Sequence, residues 1–235
     1  MIDFHTHLLP NVDDGSKSIE ETKLLLDELS RQGVGTAVLT PHFYPLADTV
    51  KKFLERRNKA ITELLTVYDK KLHPLLFVGA EVAYFHGISK ADELRQLCVE
   101  GTDIFLLELP FCKWDDGVVQ EVLDIADNLQ VKVVLAHINR YLPHKNAKYL
   151  DILQKNGIIL QANAEWFLEK KTLKKGIKYI KQEKIGCLGS DAHNTLTRPP
   201  RIREAVDNIA IKIGDKPLNR IFEFSKNLLK KAKSL

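Results

Sequence analysis

The stretch VKVVLAHINR, residues 131–140, is a β-branched apolar run that stops at a histidine, with an arginine three residues further on. A short run with no polar alternation reads as a strand covered on both faces, the habit of a parallel sheet. Six other runs share this form: MIDFH (1–5), VGTAVLT (34–40), PLLFVGAEV (74–82), DIFLLELP (103–110), GIILQAN (157–163) and KIGCLGSD (184–191). Between them lie amphipathic stretches of helical length, near 18–32, 48–71, 89–99, 116–129, 145–155, 172–182, 200–212 and 217–233. Ser18 stands three residues before Glu21, the spacing of a capping box, and Gly33 is placed to end that helix. Alternating strands and helices predict an α/β fold, either a closed (β/α) barrel or an open doubly wound sheet. No GxGxxG turn follows the first strand, which argues against a dinucleotide site. No linker or composition shift divides the chain, so residues 1–235 read as a single domain.

The residues at the C-terminal ends of the runs are unusual. In chain order they are His5 and His7, His42, Glu81, Glu108, His137, Asn163, then Asp191 with His193. The chain has eight histidines, and five stand at these ends. One such histidine is ordinary. Five, with three carboxylates at the same end of successive apolar strands, need a partner, because buried carboxylates are costly alone. Arg140 and Arg198 are the only arginines close to these ends in sequence, so metal ions are the natural partner. Imidazole and carboxylate donors suit zinc, iron and manganese, and no cysteine stands among them. In HTH, residues i and i+2 of an extended chain point the same way, so both rings can reach one ion. Asp14, in VDDG, adds a fourth carboxylate. Two divalent ions would neutralise the four. A third would leave the pocket positive and attractive to a phosphate dianion, which Arg140 and Arg198 could grip with paired hydrogen bonds. Asp13 reads as a turn or helix-start residue, and Asn163 either bonds a ligand or ends its strand.

Composition bounds the remaining classes. Apolar content is 44% and charged content 28%, ordinary for a globular protein. There is no basic leader followed by an apolar run, and no stretch nears the ~18 apolar residues of a membrane span. A cytoplasmic protein without stable membrane insertion is therefore expected. A net charge of +4 is too mild to imply nucleic acid. The last stretch, NRIFEFSKNLLKKAKSL, reads as a terminal helix with Ile221, Phe224, Leu228 and Leu229 near helical spacing and a basic solvent face. Contact with an acidic partner or membrane surface is the sharper alternative. The three cysteines do not fit a cysteine phosphatase, which needs an arginine six residues on. Cys98, Cys112 and Cys187 are followed there by Ile104, Val118 and His193.

The pieces MIDFHTH, VDDGS, TPH, GAE, AHINRY and GSDAHNTLTRPP, in this order, resemble the PHP class of metal-dependent phosphoesterases. They are most similar to the CpsB/YwqE type of bacterial protein-tyrosine phosphatase from capsule and exopolysaccharide systems. The resemblance runs from residue 2 to 201. It implies a distorted (β/α)7 TIM-like barrel with its active site at the C-terminal strand ends and three divalent ions, often manganese. His5, His7, Glu81 and Asp191 would hold the first ion. Glu81, as a bridge, with Glu108 and His137 would hold the second, and Asp14, His42 and His193 the third. Arg140 and Arg198 match the phosphate-gripping positions. The implied activity is hydrolysis of phosphotyrosine by metal-activated water, on the tail of a bacterial tyrosine kinase. The family often has Asn-Pro in its last helix, where this chain has EFSKNLLKK, and the loop HFYPLADTVKKFLERR is individual to it. A histidinol-phosphate or other small-molecule phosphatase on the same barrel, and a non-catalytic phosphate- or kinase-binding module, are the alternatives.

Overall fold

Nine short strands form from the apolar runs: β1 (Ile2–Thr6), β2 (Thr36–Leu39), β3 (His42–Phe43), β4 (Leu75–Val78), β5 (Glu81–Ala83), β6 (Ile104–Glu108), β7 (Lys132–Leu135), β8 (Ile159–Asn163) and β9 (Ile185–Gly189). The structure is a computed structural model describing Met1–Leu235. All strand pairings are parallel, in the orders β1-β2-β4 and β3-β5-β6-β7-β8-β9. The two arcs are one distorted barrel of seven runs. The 34–40 run continues past Pro41 into β3, and the 74–82 run breaks at Gly79–Ala80 into β4 and β5. The seam on the other side is a Thr6–Ala192 bridge, with the Asp191 amide donating to the His5 carbonyl at 2.8 Å. Around this ring lie α1 (Ile19–Arg31), α2 (Val50–Leu64), α3 (Asp116–Asn128), α4 (Ala147–Lys155), α5 (Lys170–Lys181), α6 (Ile202–Ile213) and α7 (Lys216–Leu228).

Two apolar clusters divide the core. The larger, of 56 buried residues, joins the helices to the strands. The smaller has 11 residues, nearly all from strands: Ile2, Phe4, Val38, Phe77, Ile104, Leu106 and Val134 among them. The i, i+2 pairs Ile2/Phe4, Ile104/Leu106 and Val134/Ala136, together with single residues from β2, β4 and β9, identify it as the barrel interior. Continuing the alternation on β6 leads from Ile104 and Leu106 to Glu108, so the interior turns polar toward the C-terminal strand ends.

Three helices differ from the sequence expectation. The 48–71 stretch is helical only to Leu64, and turns carry the chain to β4. The 89–99 stretch is two 3-10 segments, Ile88–Lys90 and Asp92–Leu97. Its apolar residues Ile88, Ala91, Leu94 and Leu97 recur every three residues, which one face of a 3-10 turn satisfies and an α-helix does not. The 217–233 helix stops at Leu228. A 3-10 turn follows (Leu229–Lys231), and Ser234 then bridges antiparallel to Phe77, with the Leu235 amide on the Leu76 carbonyl at 3.0 Å. At the start of α1, Ser18 accepts from the Glu21 amide as expected, but the Glu21 carboxylate reaches the Lys17 amide rather than that of Ser18.

Candidate metal centre

Three backbone irregularities bring the polar strand ends to one mouth. In β1 the register with β2 slips between Asp3 and Thr6, a bulge that reverses the alternation. Phe4 therefore belongs to the apolar interior while His5 and His7 face the cluster above it. Just beyond β7, Ala136 belongs to the interior, so continued alternation would turn His137 outward. A left-handed backbone at His137 (φ 30°) swings its ring back in. Asp191 is also left-handed (φ 56°), and both residues carry the strain expected of a site the surrounding fold over-determines. Two glycines allow close approach. A Cβ on Gly15 would sit 2.2 Å from the His7 carbonyl oxygen, and one on Gly189 would sit 2.6 Å from the His5 Cβ.

The structure gathers all nine expected ligand residues. His5 Nε2 lies 3.0 Å from His7 Nε2, 3.1 Å from Glu81 Oε2 and 3.7 Å from Asp191 Oδ1. His7 Nε2 lies 3.3 Å from Glu81 Oε2 and 3.4 Å from Asp191 Oδ1. His137 Nε2 lies 2.8 Å from Glu81 Oε1 and 3.2 Å from Glu108 Oε1. Asp14 Oδ1 is 3.3 Å from His193 Nε2 and 3.6 Å from His42 Nε2. The grouping is more interwoven than the resemblance implies. His42 also turns Nδ1 toward Glu81 Oε2 at 3.0 Å and groups with Glu81 and Glu108, while His7 joins Asp14, His42 and His193.

The tautomers decide what this cluster can hold. His7 Nδ1 donates to the Asp13 carboxylate at 2.6 Å. His5 Nδ1 faces Gln161 Oε1 at 3.3 Å, an oxygen marked as the acceptor by the His137 amide that donates to it at 2.6 Å. His193 Nδ1 donates to the Asp191 carbonyl at 2.9 Å. Each of these rings thus turns a lone pair on Nε2 toward the carboxylates. His5, His7, Glu81 and Asp191 then bring four lone-pair atoms together in a buried space, a set that a metal cation, or protons added to the imidazoles, must satisfy. Bonds of about 2.1 Å to one ion hold its ligands about 3.0–3.4 Å apart, close to the separations here. His137 Nδ1 is buried without a hydrogen-bond partner, and His193 Nε2 and His42 Nδ1 face Asp14 and Glu81 without hydrogen-bond geometry, so the cluster is not closed by its own hydrogen bonds. The residues fit divalent ions.

Electrostatics agree. Burial alone pushes the Glu81 carboxyl up, but the facing imidazoles, His5 and His137 foremost, outweigh it and hold it well below the usual carboxylate range. Burial also pushes the Asp191 carboxyl up, and His5 and His7 outweigh it and hold it well below the usual carboxylate range. Burial depresses His7, yet the Asp13 carboxylate beside it pushes it well above an ordinary histidine. Burial likewise depresses His137, and Glu108 and Glu81 overcome this to bring it to about 9. His193 holds Asp14 down at about 2.

Arg140 and Arg198 are at the rim, each part-exposed. Their Nη2 atoms meet at Asp191 Oδ2, at 2.7 and 2.8 Å. Asn163 Nδ2 reaches the same oxygen at 2.9 Å, so it bonds a candidate ligand rather than merely ending β8. Asp13 does more than the expected turn. Besides His7 it accepts from the His42 amide at 2.8 Å and the Gly15 amide at 2.9 Å. Gln161 escaped sequence reading. Its signal is a polar residue inside an apolar run, two before Asn163 and therefore on the same face. Half-exposed rings stand beside the cluster: Tyr44 stacks on His42 at 5.0 Å, and Phe111 lies 5.6 Å from His137.

The sequence model of the CpsB/CapC family of capsular polysaccharide synthesis matches residues 1–230. The tyrosine-protein phosphatase CpsB of Streptococcus pneumoniae is 30% identical over 94% of this chain and 95% of its own length. The tyrosine-protein phosphatase YwqE of Bacillus subtilis is 26% identical over 88% of this chain and 82% of its own. Among solved structures, a chain from the metal-dependent tyrosine phosphatases YwqE and CpsB superposes with a TM-score of 0.84 at 23% identity, covering 100% of this chain and 96% of that one. A histidinol phosphate phosphatase from Lactococcus lactis, solved with zinc, L-histidinol and phosphate, gives 0.58 at 14% identity over 91% and 93%. Both share the barrel. The match across nearly the whole sequence is decisive: the chain belongs to the CpsB/CapC family.

Proposed function

We propose that this chain is a metal-dependent protein-tyrosine phosphatase, one catalytic unit over residues 1–235. It acts in the cytoplasm on a phosphorylated tyrosine kinase of capsule or exopolysaccharide synthesis. The observation that carries the reading is the convergence of lone pairs from His5, His7, Glu81 and Asp191, their tautomers set by Asp13 and Gln161. The names of the relatives supply the substrate class. His5, His7, Glu81 and Asp191 would hold one ion, Glu81, Glu108 and His137 a second, and Asp14, His42 and His193 a third. The mixed set of five imidazoles and four carboxylates suits manganese, iron or zinc, and the resemblance favours manganese. Bound there, divalent ions would supply a water of lowered pKa and stabilise charge on phosphoryl oxygens.

The chain's own residues do the rest. Arg140 and Arg198 present two guanidinium groups at one point, and there they bind the phosphoryl oxygens and orient the ester for in-line attack. Asp13 and Gln161 hold the His7 and His5 rings in the orientation that keeps Nε2 free. Tyr44 and Phe111 give the mouth apolar edges that suit an aryl group better than an aminoalkyl one. A tyrosyl leaving group has a pKa of about 10, so the chemistry needs no dedicated acid. Turnover of a phosphotyrosyl peptide and of histidinol phosphate, with and without chelator, tests the reading. The expected result is fast, chelator-sensitive release of phosphate from the peptide and slow release from histidinol phosphate. Preference for histidinol phosphate would overturn the assignment.

A further inference from the structure

Helix α5 has the sequence KKTLKKGIKYIK, with lysines at 170, 171, 174, 175, 178 and 181 and no acid. All six are exposed. None lies within ion-pair distance of a carboxylate, whereas Lys184, just beyond the helix, pairs with Asp151 at 2.5 Å. Positions 171, 175 and 178 form one row and 174, 178 and 181 the next, so the charges form a continuous stripe. The helix buries Leu173, Gly176, Tyr179 and Ile180 on its other side, and none of its exposed residues is a large apolar one.

The stripe begins beside the phosphate-gripping arginines. A groove of about 260 Å³ contains Arg140, Arg198 and Asp191. A second, of about 410 Å³, contains Asn139, Pro143, Lys171 and Lys175. Glu165 is a wall of both. Its carboxylate sits 3.3 Å from Arg140 Nε, so Arg140 offsets its charge. Glu169, also in the second groove, Glu183, past the end of α5 and paired with Arg220, and Asp151, paired with Lys184, are acids nearby. Six lysines outnumber them.

We infer that the lysine face of α5 and the groove at its start form a docking surface for an acidic segment of the polypeptide whose phosphotyrosine occupies the metal centre. This rests on the phosphatase reading. A protein substrate must extend beyond the pocket that takes its phosphoryl group, and the second groove continues the first across Glu165. A concave path leading out of the active site fits an extended chain. An inserted membrane helix would need exposed apolar residues, which α5 lacks. The lysines raise the encounter rate and lower KM for acidic substrates without touching the reacting atoms.

The test compares wild-type protein with the variant Lys171→Gln/Lys174→Gln/Lys175→Gln/Lys178→Gln on three substrates. These are a small aryl phosphate, a phosphotyrosyl peptide with neutral flanks, and one with glutamates on one flank. The wild type is expected to favour the acidic peptide in kcat/KM by about tenfold at low salt. The preference should vanish in the variant, and in 1 M salt, where the screening length is about 3 Å. Turnover of the aryl phosphate should be equal in both proteins, which also reports that the variant is folded. Equal wild-type rates on the two peptides, or a preference that survives in the variant, would overturn the docking surface and leave the phosphatase intact. Binding to phosphatidylglycerol vesicles that the variant loses, with its peptide preference unchanged, would overturn it in favour of a membrane contact. Failure of the metal-loaded wild type on every phosphomonoester would overturn the underlying phosphatase reading, and this surface with it.

Discussion

Glu81 has no solvent contact and is faced by His5, His7, His42 and His137, all within 3.3 Å. At the residue scale this makes the cluster a competition between protons and cations. With His137 at about 9 and His7 also raised, a metal must displace protons at neutral pH. Apparent metal affinity should therefore climb as pH rises from 6 toward 9, and calorimetric titration at several pH values should record it together with proton release. Ligand removal should be severe: His7→Ala or Asp191→Ala is expected to cut phosphatase turnover by several orders of magnitude. Asp13→Asn keeps every proposed ligand but removes the charge that holds His7. The expected loss is about 10–100-fold in metal affinity. Burial pushes the thiols of Cys98 and Cys187 up to about 12, so alkylation at pH 8 should modify Cys112 alone by mass spectrometry and leave activity intact. Eight of the nine clustered residues were legible in the sequence because imidazoles and carboxylates at the ends of apolar runs have no bland explanation; Asp14, in the turn after β1, was read from the VDDG stretch. Asp13 and Gln161 were harder to read. A hydrogen bond to the far side of a ring depends on where two distant segments meet, and that leaves no spacing pattern.

At the scale of elements, the strands were legible as runs but their breaks were not. The bulge in β1, the left-handed turns at His137 and Asp191, and the splitting of the 74–82 run into β4 and β5 all depend on how neighbouring strands register. These irregularities lie where side chains are re-aimed into the mouth. Gly189→Ala tests that packing. The new methyl would sit 2.6 Å from the His5 Cβ and 2.9 Å from Gln161 Nε2, so either β9 or the His5 ring must move. A stability loss of about 1–3 kcal/mol is expected by urea denaturation, with a larger proportional fall in metal affinity. The 89–99 segment shows the opposite limit. Its apolar spacing of three was present in the sequence, but a helical reading absorbed it because 3.0 and 3.6 differ little over so short a stretch.

At the scale of the molecule, the barrel is closed at opposite ends by different means. The mouth is polar and gathers charge from six of the seven strand runs. The floor is apolar, and the chain's own end seals it: Leu229 joins the interior cluster, with Leu228 and Ala232 packed against it and Ser234 bridging Phe77. The sequence showed a basic amphipathic helix there but not the strand-like end that follows it, since pairing with Phe77 requires the barrel to exist first. Leu229→Ala should lower stability by about 2–5 kcal/mol while leaving turnover at 25 °C nearly unchanged, because the cavity opens at the end away from the ligands. On the proposed function, the strand-end cluster works only as a loaded metal centre. The most direct measurement strips the protein with chelator, restores manganese in steps, and follows bound metal per chain beside turnover of a phosphotyrosyl peptide. Activity that is absent from the stripped protein and returns as the chain fills with three ions is the predicted result. Full turnover by metal-free protein would contradict it.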